Sequence, residues 1–290
     1  MNHVLKRTLT GLTVGGGVVA LFLWCPLQAV SGIVIALSCL AQLEFYQMAK
    51  RYEPVAWFGL LSGVAWICFA AFGQTTGFAR EYVPVACALA FFALCAWVLF
   101  RQRYKHPAGT IASTLLGFLY VPFLFSFFIR IIGLGSSPSA PRAGLYTLLA
   151  LIAMAKFSDT GGFALGLAFG KHKMCPAVSP KKSWEGLAGS VLFASVTACV
   201  FLAISRYYGW GSAVGAWNAL TYPVAVAIGA AVAVLATIGD LVESRFKREF
   251  EVKDSATFMP AGMGGFLDMF DSFLFIPALA YLPLLYANTL

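Results

Sequence analysis

The sequence predicts an all-α, polytopic integral membrane protein. Three observations carry that prediction. Of 290 residues, 60% are hydrophobic and only 11% charged, with a mean hydropathy of +0.81; a soluble domain is about half apolar and a quarter charged. Apolar windows of about 20 residues, the length a helix needs to cross a bilayer, recur along the chain. Basic residues sort into alternate connections between those windows.

About nine spans are expected from windows of that length, at roughly 11–29, 30–49, 55–75, 82–100, 110–132, 145–165, 186–205, 221–239 and 266–287. Lys6 and Arg7 before an apolar run have the outline of a secretory leader. The run is long, passes straight into more apolar sequence and lacks a small-residue cleavage site, so it reads as an uncleaved first span. Only Trp24-Cys25-Pro26 separates the first two windows, which leaves open a single broken or re-entrant element. The third, fourth and seventh windows hold no internal charge, whereas the sixth contains Lys156 and Asp159.

Alternating from a cytoplasmic N-terminus puts Lys6, Arg7, Lys50, Arg51, Arg101, Arg103, Lys105, Lys171, Lys173, Lys181, Lys182, Arg245, Lys247, Arg248 and Lys253 in inner loops. Arg80, Arg142 and Arg206 fall in outer ones. The positive-inside rule then predicts N-in and C-out, in the cell (inner) membrane with the polar motifs on the cytoplasmic face. The net charge of +8 becomes a property of that face, suited to anionic headgroups and nucleotides. No nucleic-acid-binding domain is expected. Cys39, Cys68, Cys87, Cys95 and Cys199 lie in apolar spans without metal-ligand spacing and read as small packing residues. His3, His106 and His172 are scattered, which argues against a histidine metal site.

The chain reads as one membrane domain, 1–290. Residues 1–144 supply scaffold spans or a homodimer surface; 145–290 supply catalytic spans and cytoplasmic loops. No internal repeat marks it as a transporter built from duplicated halves. Polar chemistry collects in three places. Lys156-Phe157-Ser158-Asp159-Thr160-Gly161-Gly162 has Lys156 and Asp159 three apart, on one helical face. An intramembrane carboxylate points to function; the plainer alternatives are a structural ion pair and glycines for close helix packing. In Ser179-Pro180-Lys181-Lys182-Ser183-Trp184-Glu185-Gly186, Ser183 is placed to cap the next helix. The two lysines beside it suit phosphate, although a plain positive-inside loop explains them too.

The third and richest stretch follows the eighth window: Asp240, Ser244, Lys247, Arg248, Lys253, Asp254, Pro260, Gly264, Gly265, Asp268 and Asp271. Asp268 and Asp271 are three apart at the start of an apolar segment, and two hairpinned helix ends would bring Asp240 to Asp268. Oxygen ligands from separate elements, completed by water and substrate phosphate, suit Mg²⁺. Lys247, Arg248 and Lys253 would neutralise a triphosphate. The alternative is a solvated loop whose charges pair among themselves.

Together these motifs resemble the phosphatidate cytidylyltransferases, or CDP-diglyceride synthetases. The family's C-terminal pattern of Ser, Lys-Arg, Lys-Asp, Pro, Gly-Gly and two Asp three apart corresponds to Ser244, Lys247, Arg248, Lys253, Asp254, Pro260, Gly264, Gly265, Asp268 and Asp271. Its Asp-Thr-Gly-Ala-Tyr and Ser-Pro-Lys-Lys-Thr-Trp-Glu-Gly elements correspond to Asp159–Phe163 and Ser179–Gly186. The good matches cover about residues 150–275. Met263 and Met269 stand where the family has His and Arg, and one extra residue separates Pro260 from Gly264.

The resemblance implies an enzyme joining CTP to phosphatidate in the bilayer, giving CDP-diacylglycerol and pyrophosphate. It implies Mg²⁺ on Asp240 and Asp268, with Asp271 orienting those ligands or binding a second cation. Lys181, Lys182, Lys247, Arg248 and Lys253 would hold phosphates, Asp159 and Ser179 would line the cavity, and Gly264 and Gly265 would let substrate approach. The rivals are a CTP-dependent polyprenol kinase, a cytidylyltransferase for another lipid phosphate, and a membrane transporter.

Overall fold

A computed structural model describes residues 24–72, 78–101, 104–134, 142–207, 220–252, 255 and 265–289. Helix α1 (Leu27–Met48) starts directly after Pro26, continues into a 3₁₀ turn at Ala49–Tyr52, and is followed by α2 (Ala56–Phe72) and α3 (Phe78–Phe100). Helices α4 (Pro107–Phe118) and α5 (Leu124–Gly133) form one rod, interrupted by a π turn at Leu119–Phe123 that contains Pro122. The ring of Pro122 cannot donate the backbone hydrogen bond that an α-helix requires there. Next come α6 (Ala143–Phe169), strands β1 (Lys173–Cys175) and β2 (Ser179–Ser183), α7 (Trp184–Tyr207), α8 (Tyr222–Glu249), the five-residue α9 (Phe266–Phe270) and α10 (Phe275–Thr289).

Seven stretches among the described residues are long and apolar enough to cross a membrane. They begin at Gln28, Tyr82, Pro107, Ala143, Trp184, Tyr222 and Phe266, and Ala56–Ala71 is a shorter apolar helix. The chain is therefore a multi-pass membrane protein, and its helices coincide with eight of the windows expected from sequence. Most of the remaining window, 11–29, lies outside the described residues.

Two departures are local. The inner loop expected between α6 and α7 contains an antiparallel hairpin pairing Lys173 with Ser183 and Cys175 with Ser179. The last apolar stretch is not one helix, because α9 ends at Phe270 and α10 begins at Phe275. Asp268 thus sits inside the short helix and Asp271 on the turn that ends it.

Helices α6, α7 and α8 form the tightest part of the molecule. Between α6 and α7 the backbones touch: a Cβ on Gly161 would strike the Gly189 carbonyl and Phe193, and one on Gly189 would strike the Gly161 carbonyl. Ser190 Oγ donates across this seam to the Ser158 carbonyl at 3.0 Å. Small residues drive helix association in lipid because close approach maximises dispersion contacts where no hydrophobic effect operates. The glycines after Asp159 therefore act in packing, the plainer of the two roles expected from sequence. The N-terminal helices join this trio through aromatic edges: Tyr120 meets Phe246 at 5.1 Å and Phe45 meets Phe246 at 5.9 Å between centroids.

Candidate active site

Five carboxylates and three lysines from four parts of the chain gather beside the α6–α7–α8 unit. Lys156 and Asp159 come from α6, Lys182 from β2, Asp240, Glu243 and Lys247 from α8, and Asp268 and Asp271 from α9 and its end. Gly239 makes this approach possible. A Cβ there would strike the Asp271 carbonyl, so only a glycine lets α8 lie against the α9–α10 turn next to Asp240. Gly239→Val is expected to destabilise the protein by about 1–3 kcal/mol, as overpacking does, and to reduce turnover. A variant with unchanged melting temperature and turnover would refute this role.

The charges form linked pairs. Lys182 Nζ lies 2.8 Å from Asp240 Oδ2 and also donates to the Thr237 carbonyl at 3.1 Å. Lys247 Nζ lies 2.6 Å from Asp268 Oδ1 and 3.2 Å from Glu243 Oε2. Lys156 Nζ lies 3.7 Å from Asp159 Oδ2 and donates to the Met269 carbonyl and Ser272 Oγ, both at 3.2 Å. Asp268 is saturated: Oδ1 also accepts from Ser255 Oγ at 2.7 Å, and Oδ2 accepts from the Gly265 N–H at 3.0 Å. Asp159 and Asp271 lie in range of the Asp240 charge, while Glu243 lies within hydrogen-bonding reach of Asp268 and Asp271.

Three of the residues involved carried no assignment from sequence. Glu243 is 1% exposed, and its Oε1 has no hydrogen-bond donor among the described residues. Tyr120, on the π turn, is buried with its hydroxyl without a described partner, in range of the charges of Asp240, Glu243, Asp268 and Asp271. Glu44, from α1, is fully buried and accepts from the Leu267 N–H at 2.9 Å.

Other expected site residues lie to one side. Ser179 and Lys181 sit on the hairpin strand that carries Lys182, with Lys181 exposed. Arg248 Nε donates to the Val178 carbonyl at 2.6 Å, holding the hairpin tip to the end of α8. Ser183 Oγ accepts from the Gly186 N–H at 3.2 Å, the capping bond expected from sequence. Gly265 precedes α9, whereas Lys253 and Gly264 lie outside the described residues.

The donor set suits a hard divalent cation. It is all carboxylate oxygen, five acids against three lysines leave two formal negative charges, and Glu243 Oε1 is a buried acceptor without a described donor. Among the described residues no three acidic, histidine or cysteine side chains converge enough to chelate an ion alone.

The sequence profile of the cytidylyltransferase family matches residues 5–287. The chain belongs to the cytidylyltransferase family. Among relatives in this family, it is 29% identical over 284 residues to the phosphatidate cytidylyltransferase of Bacillus subtilis, covering 97% of each chain. It is 28% identical over 279 residues to that of Staphylococcus haemolyticus, covering 93% of this chain and 95% of the other. It is 40% identical to that of Haemophilus influenzae over 132 residues, 46% of this chain and 43% of the other. Membership gives the acid–lysine cluster a nucleotidyltransferase setting.

Proposed function

We propose that this protein transfers CMP from CTP to phosphatidate, giving CDP-diacylglycerol and pyrophosphate for phospholipid synthesis. The observation that carries this reading is the pairing of Lys182 with Asp240 and of Lys247 with Asp268 in a multi-pass helical member of the cytidylyltransferase family. The lipid phosphate is already an anionic nucleophile, so no general base is required. Its oxygen forms a bond to the α-phosphorus of CTP, and the bond from that phosphorus to the bridging oxygen of the β-phosphate breaks, releasing pyrophosphate.

The obstacle is bringing two polyanions into line. Lys182 and Lys247 supply paired positive charge for that purpose, and Lys181, Arg248 and Lys253 are the further cations assigned to the outer phosphates, Lys253 lying outside the described residues. Asp240 and Asp268 are the residues that would hold Mg²⁺, with Asp271 and Glu243 beside them for orientation or a second cation. When bound, the ion withdraws charge from the α-phosphate and the leaving pyrophosphate. Asp159 faces the same centre. The acyl chains remain in the bilayer.

Purified protein given labelled CTP, phosphatidate and Mg²⁺ should form a labelled CDP-lipid and pyrophosphate. Formation of a lipid phosphate with CDP would make it a CTP-dependent lipid kinase instead. The active face should be cytoplasmic, where CTP is and where the basic loops point. A single cysteine at exposed Lys173 should therefore be labelled from the cytoplasmic side of sealed vesicles. Labelling only from the opposite side would overturn the orientation and the access route for CTP.

A further inference from the structure

Helix α9 carries Asp268 and has only five residues, too short to be stable on its own. Its N-cap is Gly265. A Ser, Thr, Asp or Asn at that position would offer a side-chain oxygen to the N–H two or three residues on, but glycine has none to offer. The Leu267 N–H is instead bonded by Glu44 Oε2 at 2.9 Å, from a helix 223 residues away in sequence. The space is shared out accordingly. A Cβ on Gly265 would strike Glu44 Oε2 and Ser255 Oγ, so the carboxylate occupies the volume where a local cap would stand. Asp268 completes the turn from the other side, accepting from the Gly265 N–H.

A buried carboxylate in an apolar helix is costly unless it is bonded. Glu44 is fully buried; among the described residues its Oε2 accepts from α9 and its Oε1 has no donor, so the bond from α9 is what compensates the carboxylate. From the 3₁₀ turn that follows α1, Arg51 pairs with Glu251 at 3.0 Å and Tyr52 Oη donates to Glu249 at 2.9 Å. Helix α1 and its terminal turn thus bond the end of α8 and the start of α9.

We infer that Glu44 is a positioning residue: it supplies from the N-terminal half the cap that fixes α9, and so holds Asp268 in register with Lys247. The inference rests on the reading of Asp268 as a site residue. It separates a hydrogen-bond role from a charge role. Glu44→Gln keeps an oxygen that can accept from Leu267, whereas Glu44→Met keeps the volume and loses the acceptor.

The test compares the full-length variants in the same lipid nanodiscs by hydrogen exchange of the 265–271 segment and by CDP-lipid synthesis. Glu44→Met should raise exchange of that segment about tenfold and lower kcat about thirtyfold, with KM for CTP within about twofold. It should also raise the Mg²⁺ concentration for half-maximal rate, which a mere loss of folded protein would not do. Glu44→Gln should remain within about threefold of the parent on every measure. Unchanged exchange and kcat in Glu44→Met, or equal defects in both variants, would overturn the inference. Should Glu44→Met not fold, Glu44→Asp decides, because its carboxylate ends one methylene short; parental exchange in that variant would equally overturn it. If the parent itself made no CDP-lipid, the proposed function would fail, while the exchange comparison would still report on Glu44.

Discussion

Asp268→Asn should lower CDP-diacylglycerol synthesis by about a thousandfold or more, because an anionic ligand beside the transferring phosphate is worth several kcal/mol. The substitution keeps the shape of the side chain, and the amide oxygen can still accept from Ser255 and Lys247, whereas the amide NH2 only donates and leaves the Gly265 N–H without its acceptor. The protein should therefore still accumulate, with stability lowered by about 1–3 kcal/mol, far less than the loss of activity. Asp240→Asn should lose activity to a similar degree. The double variant should be little worse than either single one, since residues acting as a unit are strongly non-additive. Label transfer from CTP into lipid measures all three. Near-normal synthesis by Asp268→Asn, with unchanged Mg²⁺ dependence, would remove Asp268 from the metal site and direct attention to Asp159.

The second large effect belongs to Lys247. It is 19% exposed at the side chain, Glu243 beside it is 1% exposed, and Asp268 completes the group. Lys247→Met leaves two acids facing each other without a cation, and breaking a buried pair from one side costs about 3–5 kcal/mol. The variant is expected to lose most of its folded population as well as its activity. Adding Glu243→Gln removes one of the stranded charges and should recover much of the stability without recovering turnover. Thermal unfolding in detergent, followed beside the synthesis assay, separates the two. Recovery of both together would assign Lys247 to structure alone.

Where a residue's role followed from its neighbours in sequence, it was legible in advance. The apolar windows became helices because backbone in lipid has few other ways to satisfy its hydrogen bonds. Lys156 and Asp159 met because helical spacing puts them together, and Ser183 capped α7 because its oxygen is one residue ahead of the helix. Roles that depend on distant partners were not legible. Glu44 sits in Leu43-Glu44-Phe45-Tyr46 as one acid in a long apolar run. The rarity of intramembrane carboxylates was a signal that could have singled it out, but its partner lies on a segment no local pattern connects to it. Glu243 reads as an ordinary charge in a mixed helical end until α8 is laid against α9. The short hairpin and the break after Phe270 also depend on tertiary contacts: Arg248 holds the hairpin tip, and Gly239 admits the turn at Asp271.

Lys182 and Lys247 each begin in an ion pair, with Asp240 and with Asp268 and Glu243. A phosphate that takes the place of a carboxylate on either lysine leaves the displaced acid bare beside it. A lone anion, such as uncomplexed nucleotide or inorganic phosphate, would meet that exposed charge as repulsion. A nucleotide arriving with its own divalent cation supplies both replacement partners at once, so one set of ion pairs is traded for another at nearly constant local charge. On the proposed function, the paired resting state should therefore favour a metal-complexed nucleotide over a bare one. Because the trade releases few counterions, binding should also depend only weakly on ionic strength.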